Sequence, residues 1–142
     1  MGCDIHMHGE VKIKGEWHHF GVLDGNRRYE IFALMADVRN MSGIKPISEP
    51  RGLPKDATFL TKWDSDRWEG DGHSHSWLGL DELKQVLSWY EETAKKERNN
   101  ESVYAFGSEF FGNSFYWVVT DSKEELLEKG IADVRAVFWF DN

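Results

Sequence analysis

Cys3-Asp4-Ile5-His6-Met7-His8-Gly9-Glu10-Val11-Lys12-Ile13 alternates without a break. Cys3, Ile5, Met7, Gly9, Val11 and Ile13 fall on one side, and Asp4, His6, His8, Glu10 and Lys12 on the other, which is the period of a half-buried strand. The end of the chain repeats the pattern: Val134, Ala136, Phe138 and Phe140 oppose Asp133, Arg135, Val137, Trp139 and Asp141. Two strands with one apolar face each need a common cover, so both terminal segments are expected in one antiparallel sheet. The best-matching cover is Leu80–Ala94, where Leu80, Leu83, Leu87, Tyr90 and Ala94 step by three and four. Gly79 stands in front as N-cap with Glu82 at the third helical position. The fold class is α+β, with two or three helices on the sheet.

Working outward, Lys14-Gly15-Glu16 makes a turn after which Trp17 to Phe20 pairs back on the first strand. Beyond Asp24-Gly25-Asn26, the spacing of Ile31, Leu34, Met35 and Val38 predicts a helix over 28–38, capped by Asn26 or Asp24. Residues 39–79 hold all three prolines (Pro46, Pro50, Pro54) and little periodicity, so a long loop is expected. Phe59, Leu60, Trp63, Trp68 and Trp77 within it argue that it is ordered. Val103 to Val119 is aromatic and broken at Gly107 and Gly112-Asn113, which reads as a second hairpin. Asp121 with Glu124 resembles the capping box of a short helix ending at Gly130. No repeat or linker divides residues 1–142, which are read as one domain.

Composition narrows the function. The 142 residues carry a formal charge of −8, from 25 acidic and 17 basic side chains, which argues against a nucleic acid polymer or an anionic membrane as partner. The single cysteine, Cys3, forms no intramolecular disulfide, and no apolar run spans a bilayer, so a cytoplasmic setting is expected. Walker, Rossmann, nucleophile-elbow and HExxH signatures are all missing, as is a zinc cysteine cluster.

Four places carry candidate chemistry. Alternate residues of a strand point the same way about 6 to 7 Å apart, so Asp4, His6 and His8 are placed to converge on a metal ion, or to be solvated on an open sheet face. Asp71-Gly72-His73-Ser74-His75-Ser76-Trp77, ahead of the best helix, offers imidazoles, hydroxyls and a ring to an anion. Arg51-Gly52-Leu53-Pro54 puts a guanidinium on a stiff turn. On the terminal strand, Arg135, Trp139 and Asp141 share a face. His18 and His19 read as surface residues, and Cys3 as a small buried hydrophobe.

Asp4-Ile5-His6-Met7-His8 locally resembles the His-x-His strand of amidohydrolases and of histidinol-phosphatase-type phosphoesterases, although their barrel needs a longer chain. Taken whole, MGCDIH, RRYEIFALMADVRN, RGLP, HSHSW and DVRAVFWFDN resemble a group of small uncharacterised proteins of phages and prophages. That resemblance implies expression inside an infected bacterium and names no activity; small phage accessory proteins are often either counter-defence factors that capture or destroy a host signalling nucleotide or minor enzymes of nucleotide metabolism. The leading expectation is a binder of a small anionic, nucleotide-like ligand: Arg51 and Arg135 clamp charge, His73, His75 and Ser76 donate hydrogen bonds, and Trp77 or Trp139 stacks a base. The alternative is a phosphodiesterase holding one divalent metal ion on Asp4, His6 and His73 or His75, with His6 and Asp141 catalytic. A third reading is an interaction module, since paired strands and many Trp also build a homo-oligomer interface.

Overall fold

Both terminal segments are strands of one antiparallel sheet in the computed structural model, which describes residues 1–142. Strands β1 (Asp4–Ile13), β2 (Glu16–Leu23), β3 (His73–Gly79) and β4 (Asp133–Asp141) lie in the order β2-β1-β4-β3. In the central pair Asp4 faces Asp141, His6 faces Trp139, and Glu10 faces Arg135. The register therefore puts the even residues of β1 and the odd residues of β4 on one side of the sheet. Between Gly9 and Glu10 the β1–β2 ladder shifts, so that Glu10 faces His19 rather than Phe20.

The apolar side meets helices α1 (Tyr29–Ala36), α3 (Leu80–Trp89), α4 (Val103–Phe111) and α5 (Asn113–Thr120) in one core of 29 buried residues. Leu83 and Phe138 are both fully buried there, as the alternation and the helical stripe require. The Leu80 helix starts where expected, with Glu82 accepting from the Gly79 N–H at 3.1 Å, and passes into a π turn over Tyr90–Ala94. Helix α6 (Lys123–Glu128) is capped one residue later than the Asp121 reading: Ser122 accepts from the Glu125 N–H, and Glu125 accepts from the Ser122 N–H, both at 3.1 Å. Helix α1 starts at Tyr29 without a side-chain cap from Asn26 or Asp24. None of the helices is long and apolar enough to cross a membrane.

Two expectations are corrected. Residues 103–119 form the helices α4 and α5, not a hairpin. Phe106, Phe110 and Phe111 bury at helical spacing behind a Ser102 cap, whose hydroxyl accepts from the Ala105 N–H at 3.0 Å. Gly107 belongs to that packing: a Cβ there would sit 2.3 Å from Tyr116 Cδ1, so glycine sets the approach of α4 to α5. The stretch 39–79 is likewise no continuous loop, since it contains α2 (Phe59–Arg67), a 3₁₀ turn at Glu69–Asp71 and the edge strand β3. Six α-helices result rather than two or three.

Candidate functional site

The polar side of the sheet is not open to solvent. Helix α2 and the residues leading into it lie across it and are held by charge and hydrogen bonds. Glu10 is fully buried and accepts from the Thr58 N–H (2.9 Å), Thr58 Oγ1 (2.7 Å), Thr61 Oγ1 (2.8 Å) and Arg135 Nε (2.8 Å). Burial opposes ionisation of Glu10, but these donors outweigh it and hold the carboxyl below its ordinary range. Arg135 also reaches Asp56 at 2.9 Å.

Next along β1, the buried His8 places Nε2 2.7 Å from Asp64 Oδ2 and Nδ1 2.9 Å from His19 Nε2. Burial disfavours a charged Asp64, yet its bonds from His8 and Arg67 prevail and its carboxyl lies below the usual value. His19 is pushed down, first by burial and then by the neighbouring imidazole of His8. Asp64, His8 and His19 thus form a continuous hydrogen-bonded line across the face.

At the far end His6, Trp139 and His75 share a row. Trp139 is fully buried, with the rings of His8, His75 and His6 stacked at 5.5, 5.8 and 6.0 Å. Trp68, from the turn after α2, covers His6 at 4.1 Å, and His6 Nε2 bonds Asp141 at 3.0 Å. Burial, followed by the charge of His73, holds His75 below its ordinary pKa. The indole N–H groups of Trp68 and Trp139 have no acceptor.

The sequence-predicted site residues separate into three groups. His6, His75, Trp139 and Asp141 come together. Arg135 lies on the same face but is consumed by Glu10 and Asp56. Arg51 is elsewhere: its guanidinium forks onto Glu82 and covers Trp77 at 4.6 Å, while its N–H donates to the buried Ser76 hydroxyl. Ser76 and Trp77 therefore anchor the Arg51 turn to β3. His73 pairs with Phe140 on the core side and hydrogen-bonds Asn142, not His6. Asp4 turns to Arg27 Nε at 2.6 Å. With Asp4 and His73 so engaged, the four metal candidates do not converge, and no group of three or more His, Cys, Asp or Glu side chains is placed to hold a metal ion. The residues do not fit a resident metal. His19, read as a surface residue, is instead a member of the network.

One place that the residue inventory passed over is a cleft of about 360 Å³ between α1, the turn at 39–44 and the 3₁₀ turn Lys95–Arg98. Arg39 lines it, half-buried, with its backbone in the left-handed region (φ 53) and its guanidinium 5.3 Å over the Tyr29 ring. Six of the seven arginines are ion-paired: Arg27, Arg28, Arg51, Arg67, Arg98 and Arg135 all hold carboxylates, and Arg39 holds none. Glu30, on the cleft wall, is neutralised by Arg98 at 2.9 Å. Tyr29 Oη accepts from the Cys3 N–H at 3.0 Å, which leaves its own proton free to donate. The chain matches no family model, no curated protein and no solved structure.

Proposed function

We propose that the protein binds a small anionic ligand of nucleotide-like size, and that Arg39 is its anchor. The observation that carries this reading is the pairing pattern. In a chain with 25 acidic against 17 basic residues, the one arginine without a carboxylate faces a cleft. A half-buried guanidinium left unpaired is costly, and an incoming phosphate or carboxylate supplies the bidentate acceptor it lacks. The cleft volume lies at the small end of ligand pockets, and Ile44 and Met41 offer apolar contact beside the charge. Opposing charge comes only from the exposed Glu97, since Glu30 is neutralised. Sequestration of a host signalling nucleotide, one of the roles common among small phage accessory proteins, requires no more than such binding.

Calorimetry with inorganic phosphate, mononucleotides and cyclic nucleotides tests the reading. Arg39→Ala is expected to weaken the best of these by about 1.5 to 3 kcal/mol, the worth of a charged hydrogen bond. Arg51→Ala, already neutralised by Glu82, is expected to leave affinity unchanged. Equal affinity in wild type and Arg39→Ala, or no binding of any anion at millimolar concentration, defeats the proposal.

A further inference from the structure

The row His6–Trp139–His75 is built differently from the rest of the polar face. Along β1 on that face the buried polar groups are partnered: Glu10 has four donors, and His8 is bonded at both ring nitrogens; the other unpartnered buried atoms, on Asn26 and Arg28, lie away from this row. Here the wholly buried Trp139 and its neighbour Trp68 each keep an indole N–H without an acceptor. A buried donor left unmade costs about 1 to 3 kcal/mol, so two in one cluster is a costly arrangement unless something accepts from them.

The geometry around these donors is that of a covered slot. Gly72 passes directly over it: a Cβ at this position would lie 3.2 Å from Trp139 Cδ1, the carbon bonded to the unpaired nitrogen, and 3.5 Å from both His75 Nε2 and Trp68 Cβ. The covering segment is bracketed by two non-glycine residues in the left-handed region, Glu69 (φ 47) and Ser74 (φ 55). Such backbone is sparsely populated and costs of order 1 to 3 kcal/mol per residue. Its only regular structure is one 3₁₀ turn with no buried residue. A strained, exposed turn with one aromatic plug, Trp68 against His6, is the construction of a flap.

The charge of the slot selects the ligand. Asp141 lies against His6, Glu69 and Asp71 belong to the covering turn, and Arg67, whose guanidinium lies 5.7 Å over the Trp68 ring, is committed to Asp64 at 2.7 Å. An anion is repelled here, whereas a neutral ring with acceptor atoms on its edge meets indole and imidazole donors and aromatic faces together. We propose that this slot binds a planar, uncharged, acceptor-bearing heteroaromatic ring of the nucleobase class. Trp68 swings out, the ring takes its place against His6, and the Trp139 N–H donates to it. The slot stands independently of the Arg39 cleft, which takes the charge this one rejects.

The test follows indole N–H resonances in a ¹⁵N-labelled protein titrated with adenine, guanosine, uridine and the corresponding monophosphates, in the Arg39→Ala background so that the cleft is silent. Neutral rings are expected to shift two buried indole resonances saturably, and monophosphates to bind more weakly than their nucleosides. Trp139→Phe keeps the buried ring and removes the donor, and is expected to weaken binding roughly three- to tenfold, the range for one neutral hydrogen bond. Should that variant not fold, Trp68→Ala serves instead: it unplugs the slot and is expected to bind the same ring more tightly. No saturable shift with any neutral ring, an unchanged affinity in a folded Trp139→Phe, or a Trp68→Ala affinity no higher than wild type overturns the assignment. Monophosphates binding better than nucleosides in this background overturn it as well. Loss of phosphate binding in Arg39→Ala with nucleoside binding retained separates this slot from the anion cleft.

Discussion

The two sides of the sheet hold their helices by opposite means. On the core side, α1, α3, α4 and α5 bury Phe32, Leu83, Phe110 and Phe115 against Ile5, Met7, Phe138 and Phe140, so the adhesion is apolar area and close packing. On the other side α2 is turned inside out. It directs Thr61, Asp64 and Ser65 at the sheet and leaves Phe59 76% and Trp63 56% exposed. Its hold is one buried carboxylate, one buried imidazole and their donors. Apolar adhesion is indifferent to pH and tolerant of small shifts, whereas a charged clasp depends on every partner being present. The sheet thus has a permanent face and a conditional one, and the candidate sites on the sheet belong to the conditional face.

Truncation separates the two most strongly. Phe138→Ala should cost about 3 to 5 kcal/mol of global stability and Leu83→Ala about 2 to 5, read from denaturant midpoints. A loss under about 0.5 kcal/mol at either position contradicts its place in the core. Glu10→Gln should cost about 1 to 3 kcal/mol, because Arg135 loses its buried counter-charge and two threonines lose a charged acceptor. Native-state hydrogen exchange should then rise in residues 56–67 before it rises in α3. Uniform loss of protection would mean that α2 is no separate unit.

Acid should loosen the conditional face first. The folded pKa values of His19 and His75 are depressed below their ordinary 6.5, so the unfolded chain binds the protons that the folded chain refuses. Their contribution is therefore present at neutral pH and is lost as pH falls through about 6.5 toward the folded values. Glu10 and Asp64, held below 4.5 and 3.8, act in the same direction at lower pH. A His19→Gln, His75→Gln double variant should flatten the stability profile between about pH 5 and 7 while keeping the acid limb below it. An unaltered upper limb would remove the histidines from the clasp. The smallest effect is expected outside α2: Phe59→Ser and Trp63→Ser should change stability by less than about 0.5 kcal/mol, and a loss beyond about 1 kcal/mol would mean that these side chains pack inward.

Strand parity settled much of this in advance. Because side chains alternate, β1 and β4 each declared an apolar face, and their pairing put His6, Trp139 and Asp141 on one side as soon as the two strands were neighbours. Parity also assigned His8 and Glu10 to that side, but it left open whether the side was wet. The helix that covers it is invisible to a search for apolar stripes, since its buried residues, Thr61 and Ser65, are polar while Phe59, Leu60 and Trp63 are exposed. Residues 103–119 misled for a related reason: Phe, Tyr, Trp and Val favour strands in isolation, and only the packing of Phe106, Phe110 and Phe115 at helical spacing overrides that preference.

By itself, then, the sequence determined the α+β class, the Leu80 helix and the burial of Cys3, which follow from periodicity within one segment, and the two terminal strands in one sheet, which follows from two matching apolar faces. Which charges are free was decided by tertiary structure alone. Arg51, Arg135 and Arg39 look alike along the chain, and they differ only because Glu82 meets the first, Glu10 and Asp56 meet the second, and no carboxylate meets the third. Ion pairing joins residues 31 and 125 positions apart in these cases, and a pattern read over a few residues holds no information at that range.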